Sequence, residues 1–302
     1  PAATPTAPAA AGAAPAAADD LGEIVVTAKE PRYVAPTRRD RIGRIWAPVY
    51  INEKGPYRLV LDTGASRSGI TSAVAASLGL VPDPSSTVIL HGVTGKATVS
   101  TVHVDTLRVG DVLIHGSNLP LLPDALGGAD GDLGNEGFDD RRILIDFRHD
   151  LISIVRSHRQ PAAPGFVSIP FELQHGRLMI TSVRVGNVSA RAIVDTGAQS
   201  TIGNEALRDL LRRSSRRSQT DVIAGVTLDE QSVEAFPVPP VHFGDLEIRT
   251  SNMVFADTHI FSYWHLTSEP VLQIGMDVLG LLDTLVIDYR RHELQIKLRA
   301  GA

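Results

Sequence analysis

Apolar positions fall in short runs bounded by turn residues, the pattern of strands joined tightly rather than of long helices. Val49-Tyr50-Ile51 and Tyr57-Arg58-Leu59-Val60-Leu61 flank a Lys54-Gly55-Pro56 turn, and residues 180–185 and 190–194 flank Gly186-Asn187. Both stretches read as β-hairpins. In each, the second strand ends on an aspartate and the chain turns at Thr-Gly. Helix is the minor component: Thr71 or Ser72 caps one that stops at Gly79, and Asn204 caps another running through Leu207, Leu210 and Leu211.

Laid against itself, the chain repeats. Leu59-Val60-Leu61-Asp62-Thr63-Gly64-Ala65 answers to Ala192-Ile193-Val194-Asp195-Thr196-Gly197-Ala198 at an offset of 133, and Gly92-Val93-Thr94 answers to Gly225-Val226-Thr227 at the same offset. Gly110-Asp111-Val112 pairs with Gly244-Asp245-Leu246 at 134, and Ile145-Asp146-Phe147 with Ile287-Asp288-Tyr289 at 142. Four landmarks in one order predict two similar lobes, residues 46–157 and 166–302, related by a pseudo-twofold axis and joined by a Pro-bearing connector at 158–165. Solenoids also repeat, but from three or more shorter units.

Residues 1–45 precede the first lobe, and residues 1–18 are almost entirely Ala, Pro and Thr, which cannot build a core. Such a stretch commonly trails a signal peptide, so an exported protein is expected. Glu23-Ile24-Val25-Val26-Thr27-Ala28 resembles the TonB box of outer-membrane receptors, a segment that adds a strand to a partner's sheet; a strand added to its own protein explains the same letters. Together these point to the periplasm or outer envelope of a Gram-negative bacterium, with a possible TonB-like partner.

A net charge of -5 offers no broad basic field, so nucleic acid is not an expected partner. Cysteine is absent, which excludes disulfides, thiolate metal sites and a cysteine nucleophile. No apolar run approaches the ~18 residues that span a bilayer, so no transmembrane segment is expected. Arg212-Arg213-Ser214-Ser215-Arg216-Arg217 follows a helix, where positive charge suits the C-terminal dipole and a solvated loop. Asp130-Gly131-Asp132 echoes a calcium loop, but Asn135 stands where that loop needs glycine. The histidines show no helix-ligand spacing with a glutamate, and Gly64-Ala65-Ser66-Arg67-Ser68-Gly69 is not a nucleophile elbow. The sequence therefore calls for no metal and no cofactor.

One Asp-Thr-Gly-Ala is ordinary turn chemistry, since Asp readily caps its own loop. Two in register across a pseudo-twofold axis can instead bring carboxylates together. Side by side both cannot ionise cheaply, so they share a proton and supply an acid and a base at one point. The ionised member takes a proton from a water that attacks a peptide carbonyl, and the protonated member donates to the carbonyl oxygen. No covalent intermediate is required.

On these motifs the chain resembles the pepsin and retropepsin superfamily of aspartic proteases, in a single-chain, two-lobe form of the retroviral type. The resemblance implies an all-β acid protease fold: two retropepsin-like β-barrel lobes with short helices. It makes Asp62 and Asp195 the catalytic pair, with Thr63 and Thr196 exchanging hydrogen bonds across the lobe boundary and Gly64 and Gly197 permitting close approach. It places flap tips at Gly92-Val93-Thr94-Gly95 and Gly225-Val226-Thr227-Leu228, gripping an extended peptide or protein substrate; the second tip lacks the fourth-position glycine. Family lobes also carry a hydrophobic-hydrophobic-Gly behind the Asp turn: Gln273-Ile274-Gly275-Met276-Asp277-Val278-Leu279 fits it, and Asp132-Leu133-Gly134-Asn135-Glu136-Gly137-Phe138 fits less well. Where pepsin-like enzymes place a hydroxyl after Asp-Thr-Gly, this chain has Ala65 and Ala198. Without that donor the ionised form is less favoured, and an optimum nearer neutral than pepsin's is expected. Ser66 and Gln199 differ between the lobes, so substrate contacts are expected to be asymmetric. The implied function is an endopeptidase acting on exported proteins; the alternative is a silent peptide-binding pseudoprotease of the cell envelope.

Overall fold

The computed structural model describes residues 33–36, 43–124, 126–174, 178–212, 218–249 and 252–299. The segment Glu23-Ile24-Val25-Val26-Thr27-Ala28 and residues 213–217 of the basic run lie outside the described residues.

Three sheets organise the chain from residue 33 onward. In the first, Trp46–Ile51 pairs with Lys54–Leu61, followed across the sheet by Gly131–Leu133, Gly69–Thr71, Val112–Leu122 and Lys96–Val109. The last of these returns to pair with Trp46–Ile51, with Tyr50 opposite Arg108. Six strands thus close into a small barrel and leave no edge among themselves. Alternation does the rest: Val49, Ile51, Leu59, Leu61, Ile70, Val102 and Val104 point inward and are fully buried. The helix Ser72–Leu78 packs Val74, Ala75 and Leu78 on this core; Thr71 is its cap, accepting from Val74 N, and Gly79 ends it at φ 72.

The second sheet repeats that order with the long strands broken. Leu178–Val185 and Val188–Val194 form the hairpin, flanked by Val271–Ile274, Ile202–Gly203, Met253–Phe255 and Glu230–Phe236. Pro237, Pro239 and Pro240 interrupt what is one strand, Lys96–Val109, in the first barrel. Proline has no N–H for the ladder, so the chain resumes only at Val241–Phe243, which pairs back onto the hairpin. Asn204 caps Glu205–Leu211, accepting from Leu207 N at 3.0 Å.

The third sheet draws on both halves, in the order Tyr33–Pro36, Leu151–Arg156, Arg141–Asp146, Leu282–Asp288, Glu293–Leu298, Val167–Pro170. Its two central strands are the fourth repeated landmark, and they pair with each other. Leu144 faces Val286, the residue 142 positions on, so each stands opposite its own repeat and the pseudo-twofold axis passes between them. Tyr33–Pro36, which the sequence assigns to the tail, is the edge strand here.

Candidate active site

The two Asp-Thr-Gly turns meet at that axis. Thr63 Oγ1 donates to Val194 O at 2.7 Å and accepts from Thr196 N at 3.0 Å; Thr196 Oγ1 donates to Leu61 O at 2.5 Å and accepts from Thr63 N at 3.1 Å. All four groups are buried, so each bond replaces one that water cannot supply, and the turns are locked together. The glycines then matter sterically. A Cβ on Gly64 would fall 2.5 Å from Asp195 Oδ2, and one on Gly197 would overlap the Asp62 carboxyl. Each carboxyl group thus lies over the other lobe's turn.

Asp62 Oδ1 accepts from Gly64 N (2.7 Å) and Ala65 N (3.0 Å), and Asp195 Oδ1 from Gly197 N (2.8 Å) and Ala198 N (3.0 Å). The two carboxyl groups stand close enough for each to act on the other's ionisation. Burial is the main reason both titrate above the ordinary carboxylate range. For Asp62 the charges of Asp195 and Asp132 add to it; for Asp195 the bonds from Gly197, Asp62, Gln273 and Ala198 oppose it. Such a pair can accept one proton and donate another without a metal.

Behind the turns the two halves match more closely than their letters. Asp62 N donates to Leu133 O and Asp195 N to Ile274 O, both at 3.0 Å. A Cβ on Gly134 would fall 2.5 Å from the Arg67 backbone, and one on Gly275 2.7 Å from that of Ser200. Glu136 accepts from Ser68 N at 2.6 Å as Asp277 accepts from Thr201 N at 3.0 Å. The Asp132-Leu133-Gly134 run thus serves as its counterpart does, although only its glycine and hydrophobic spacing announce it.

Both predicted tips are hairpin turns. Asp83–His91 and Lys96–Val109 enclose residues 92–95, and Gln219–Ala224 and Glu230–Phe236 enclose residues 225–229. The second turn is one residue longer, and Leu228 takes the left-handed conformation at φ 64. The tips touch: Gly225 N donates to Thr94 Oγ1 at 3.0 Å. Val93 packs on the second half's cluster with Ile180, Ile193 and Val233, while Val226 packs on the first half's Val60, Leu122 and Leu126. Each hairpin thus reaches across to pack on the other half. Ser66 and Gln199 are exposed beside the turns.

Five nearby residues carry no signal of their own in the sequence. His91 Nδ1 lies 3.0 Å from His259 Nε2, and its ring stacks on Tyr263 at 3.9 Å between centroids. Asp132 and Gln273 flank the carboxyl pair from opposite halves. Alternation within the aligned landmarks could have found those two, since both precede hydrophobic-Gly at the same place in the repeat. The His91 contacts join residues with no shared spacing and were not findable. Among the described residues no cluster of His, Cys, Asp and Glu is arranged to hold a metal ion, and no helix is long and apolar enough to cross a membrane.

Two β lobes meeting at paired, buried Asp-Thr-Gly turns define an acid-protease architecture. The family described as aspartyl protease matches residues 47–136 and again 181–278, one span in each half. The chain belongs to that family. No curated protein matches it.

Proposed function

We propose that the chain is an active endopeptidase that cleaves extended segments of exported proteins, with Asp62 and Asp195 as its catalytic pair. The observation that carries this reading is the seating of each carboxyl group against the other lobe's Asp-Thr-Gly turn, where burial raises both above the ordinary carboxylate range and lets the pair hold one proton between them. The ionised carboxylate takes a proton from water as its oxygen bonds to the peptide carbonyl carbon, and the other carboxyl gives its proton to the carbonyl oxygen. Collapse of the resulting tetrahedral species breaks the C–N bond as the amine nitrogen takes a proton from the pair and one hydroxyl of that species returns a proton to it, leaving the acid, the amine and the pair as it began. Residues Gly92, Val93 and Thr94, with Gly225, Val226 and Thr227, cover this point and must part to admit a chain and close to exclude water. The proposed setting, the periplasm or outer envelope of a Gram-negative bacterium, is supported by the Ala/Pro-rich tail and the TonB-box-like letters at Glu23-Ile24-Val25-Val26-Thr27-Ala28.

Cleavage of a peptide library by the purified chain tests this between pH 3 and 8. Wild type should cut, with an optimum nearer neutral than pepsin's, and Asp62→Asn or Asp195→Asn should each lower kcat by about a thousandfold. A folded wild type that binds peptides and cuts none of them across this range marks a pseudoprotease instead.

A further inference from the structure

Asp132 and Gln273 occupy one position of the repeat. Parallel pairing sets Asp132 level with Val60 and Gln273 level with Ile193, each two residues before its lobe's aspartate. Alternation therefore turns both side chains to the face that carries the carboxyl pair. They differ in chemistry. Gln273 Nε2 donates to Asp195 Oδ2, a bond that favours the ionised carboxylate. Asp132 is itself an acid, buried, close enough for its charge to act on both Asp62 and Asp195.

The charged groups around Asp132 can be named from each side. Arg44, preceding the strand Trp46–Ile51, is the cation that faces it; Asp62, at the end of Lys54–Leu61, and Asp195 from the other half are the anions. Gly69–Thr71 on its other flank brings no titratable side chain. On its own strand's ends, Asp130 turns to Arg58 and Glu136 to Ser68 N. Asp132 Oδ1 makes no hydrogen bond among the described residues. A buried carboxyl oxygen left without a bond, beside the half-buried Asp62 and the buried Asp195, weakens the fold, a cost of the kind that functional sites carry.

We propose that Asp132 and Gln273 are a positioning pair that makes the two aspartates unequal: Gln273 holds Asp195 as the carboxylate that deprotonates water, and Asp132 keeps the shared proton on Asp62 and delays its loss as pH rises. This rests on the peptidase reading above. Burial, opposed by Arg44 and aided by Asp195, pushes Asp132 up to about 7, so its charge develops near neutrality. Beyond that point, removing the last proton from the pair leaves three anions around one buried spot facing one guanidinium. The singly protonated, working form therefore persists to higher pH than the pair alone would allow.

Carboxyl 13C NMR of the full chain labelled at aspartate Cγ reads this without any turnover, with the pair's signals assigned through Asp62→Asn and Asp195→Asn. Asp132→Asn should lower the upper ionisation midpoint of the pair by about one pH unit while leaving the lower one in place, because Asp132 is uncharged in the acid range, and Asp132→Glu should restore it. Gln273→Met should raise the first midpoint. The two limbs of the pH–rate profile should follow the same shifts. Midpoints unmoved in folded Asp132→Asn, or in folded Gln273→Met, overturn the proposal. If the midpoints move while wild type cuts nothing, the peptidase reading fails and the charge coupling stands.

Discussion

Asp132 costs the protein stability in a way that pH exposes. Its ordinary pKa of 3.8 rises to about 7 on folding, so the folded chain binds a proton more tightly than the unfolded one. A group of this kind contributes its full stabilisation below pH ~4 and loses it as pH climbs through ~7. Three units correspond to about 4 kcal/mol, an order-of-magnitude figure for a fully buried group. Asparagine carries no such charge. The Asp132→Asn variant should therefore melt close to wild type at pH 4 and well above it at pH 8, and a Tm difference that stays flat across that range would show that the carboxyl is not buried as described. At this scale the sequence was uneven. Asp62, Asp195, Thr63 and Thr196 were legible because chemistry restricts what can follow an aspartate in that turn. Asp132 was legible only as a letter of a failed calcium loop and of the weaker hydrophobic-Gly run, since its significance lies in what stands across the axis.

The two hairpins at residues 92–95 and 225–229 are held unequally. The first is pinned by His91 against His259 and Tyr263 and by His259 N donating to Val93 O at 2.9 Å; the second meets it through Gly225 and Thr94. Burial, then the nearness of His259 and Lys96, lowers the His91 pKa, so this ring is neutral at pH 7 and accepts or donates one bond. Acid works against the pin, because a protonated His91 gives two cationic-capable rings 3.0 Å apart. His91→Ala should raise KM several-fold with little change in kcat at pH 7, and the difference from wild type should shrink as pH falls below the ordinary imidazole range; an unchanged KM would place the pin outside substrate capture. Element boundaries reward sequence reading where local chemistry sets them. Thr71, Gly79, Asn204 and the turn at Gly92-Val93-Thr94-Gly95 all fall where caps and tight turns put them. The break at Pro237, Pro239 and Pro240 was equally local but shows its meaning only beside the unbroken strand Lys96–Val109. The strand Tyr33–Pro36 was hidden for another reason: its partner, Leu151–Arg156, is more than a hundred residues away.

What keeps 133 residues of separation from mattering is the shared sheet beneath the turns. Arg141–Asp146 and Leu282–Asp288 pair along their lengths, and the carboxylate of Asp288, fully buried, sits opposite Arg142. Asp288 Oδ1 accepts from Ser157 Oγ at 2.7 Å and from Arg291 N at 3.0 Å, while Arg142 reaches Gln295 Oε1 at 2.8 Å with its Nε 3.9 Å from Asp288. These residues come from both halves, so the cluster couples the lobes rather than stabilising either one alone. Removing its carboxylate strands a partly buried guanidinium and a buried hydroxyl together, a loss of about 3–5 kcal/mol. For a chain of this size that corresponds to a fall in Tm on the order of 10 °C. Asp288→Ala should show that fall as one transition, with Asp288→Asn intermediate because it keeps an acceptor for Ser157. The fraction still folded at 25 °C should cut peptide with wild-type kcat, since nothing touching Asp62 or Asp195 has changed. Two separate transitions in Asp288→Ala would mean that each lobe stands alone, and that the Thr63–Thr196 bonds, not the sheet, bring the two aspartates together.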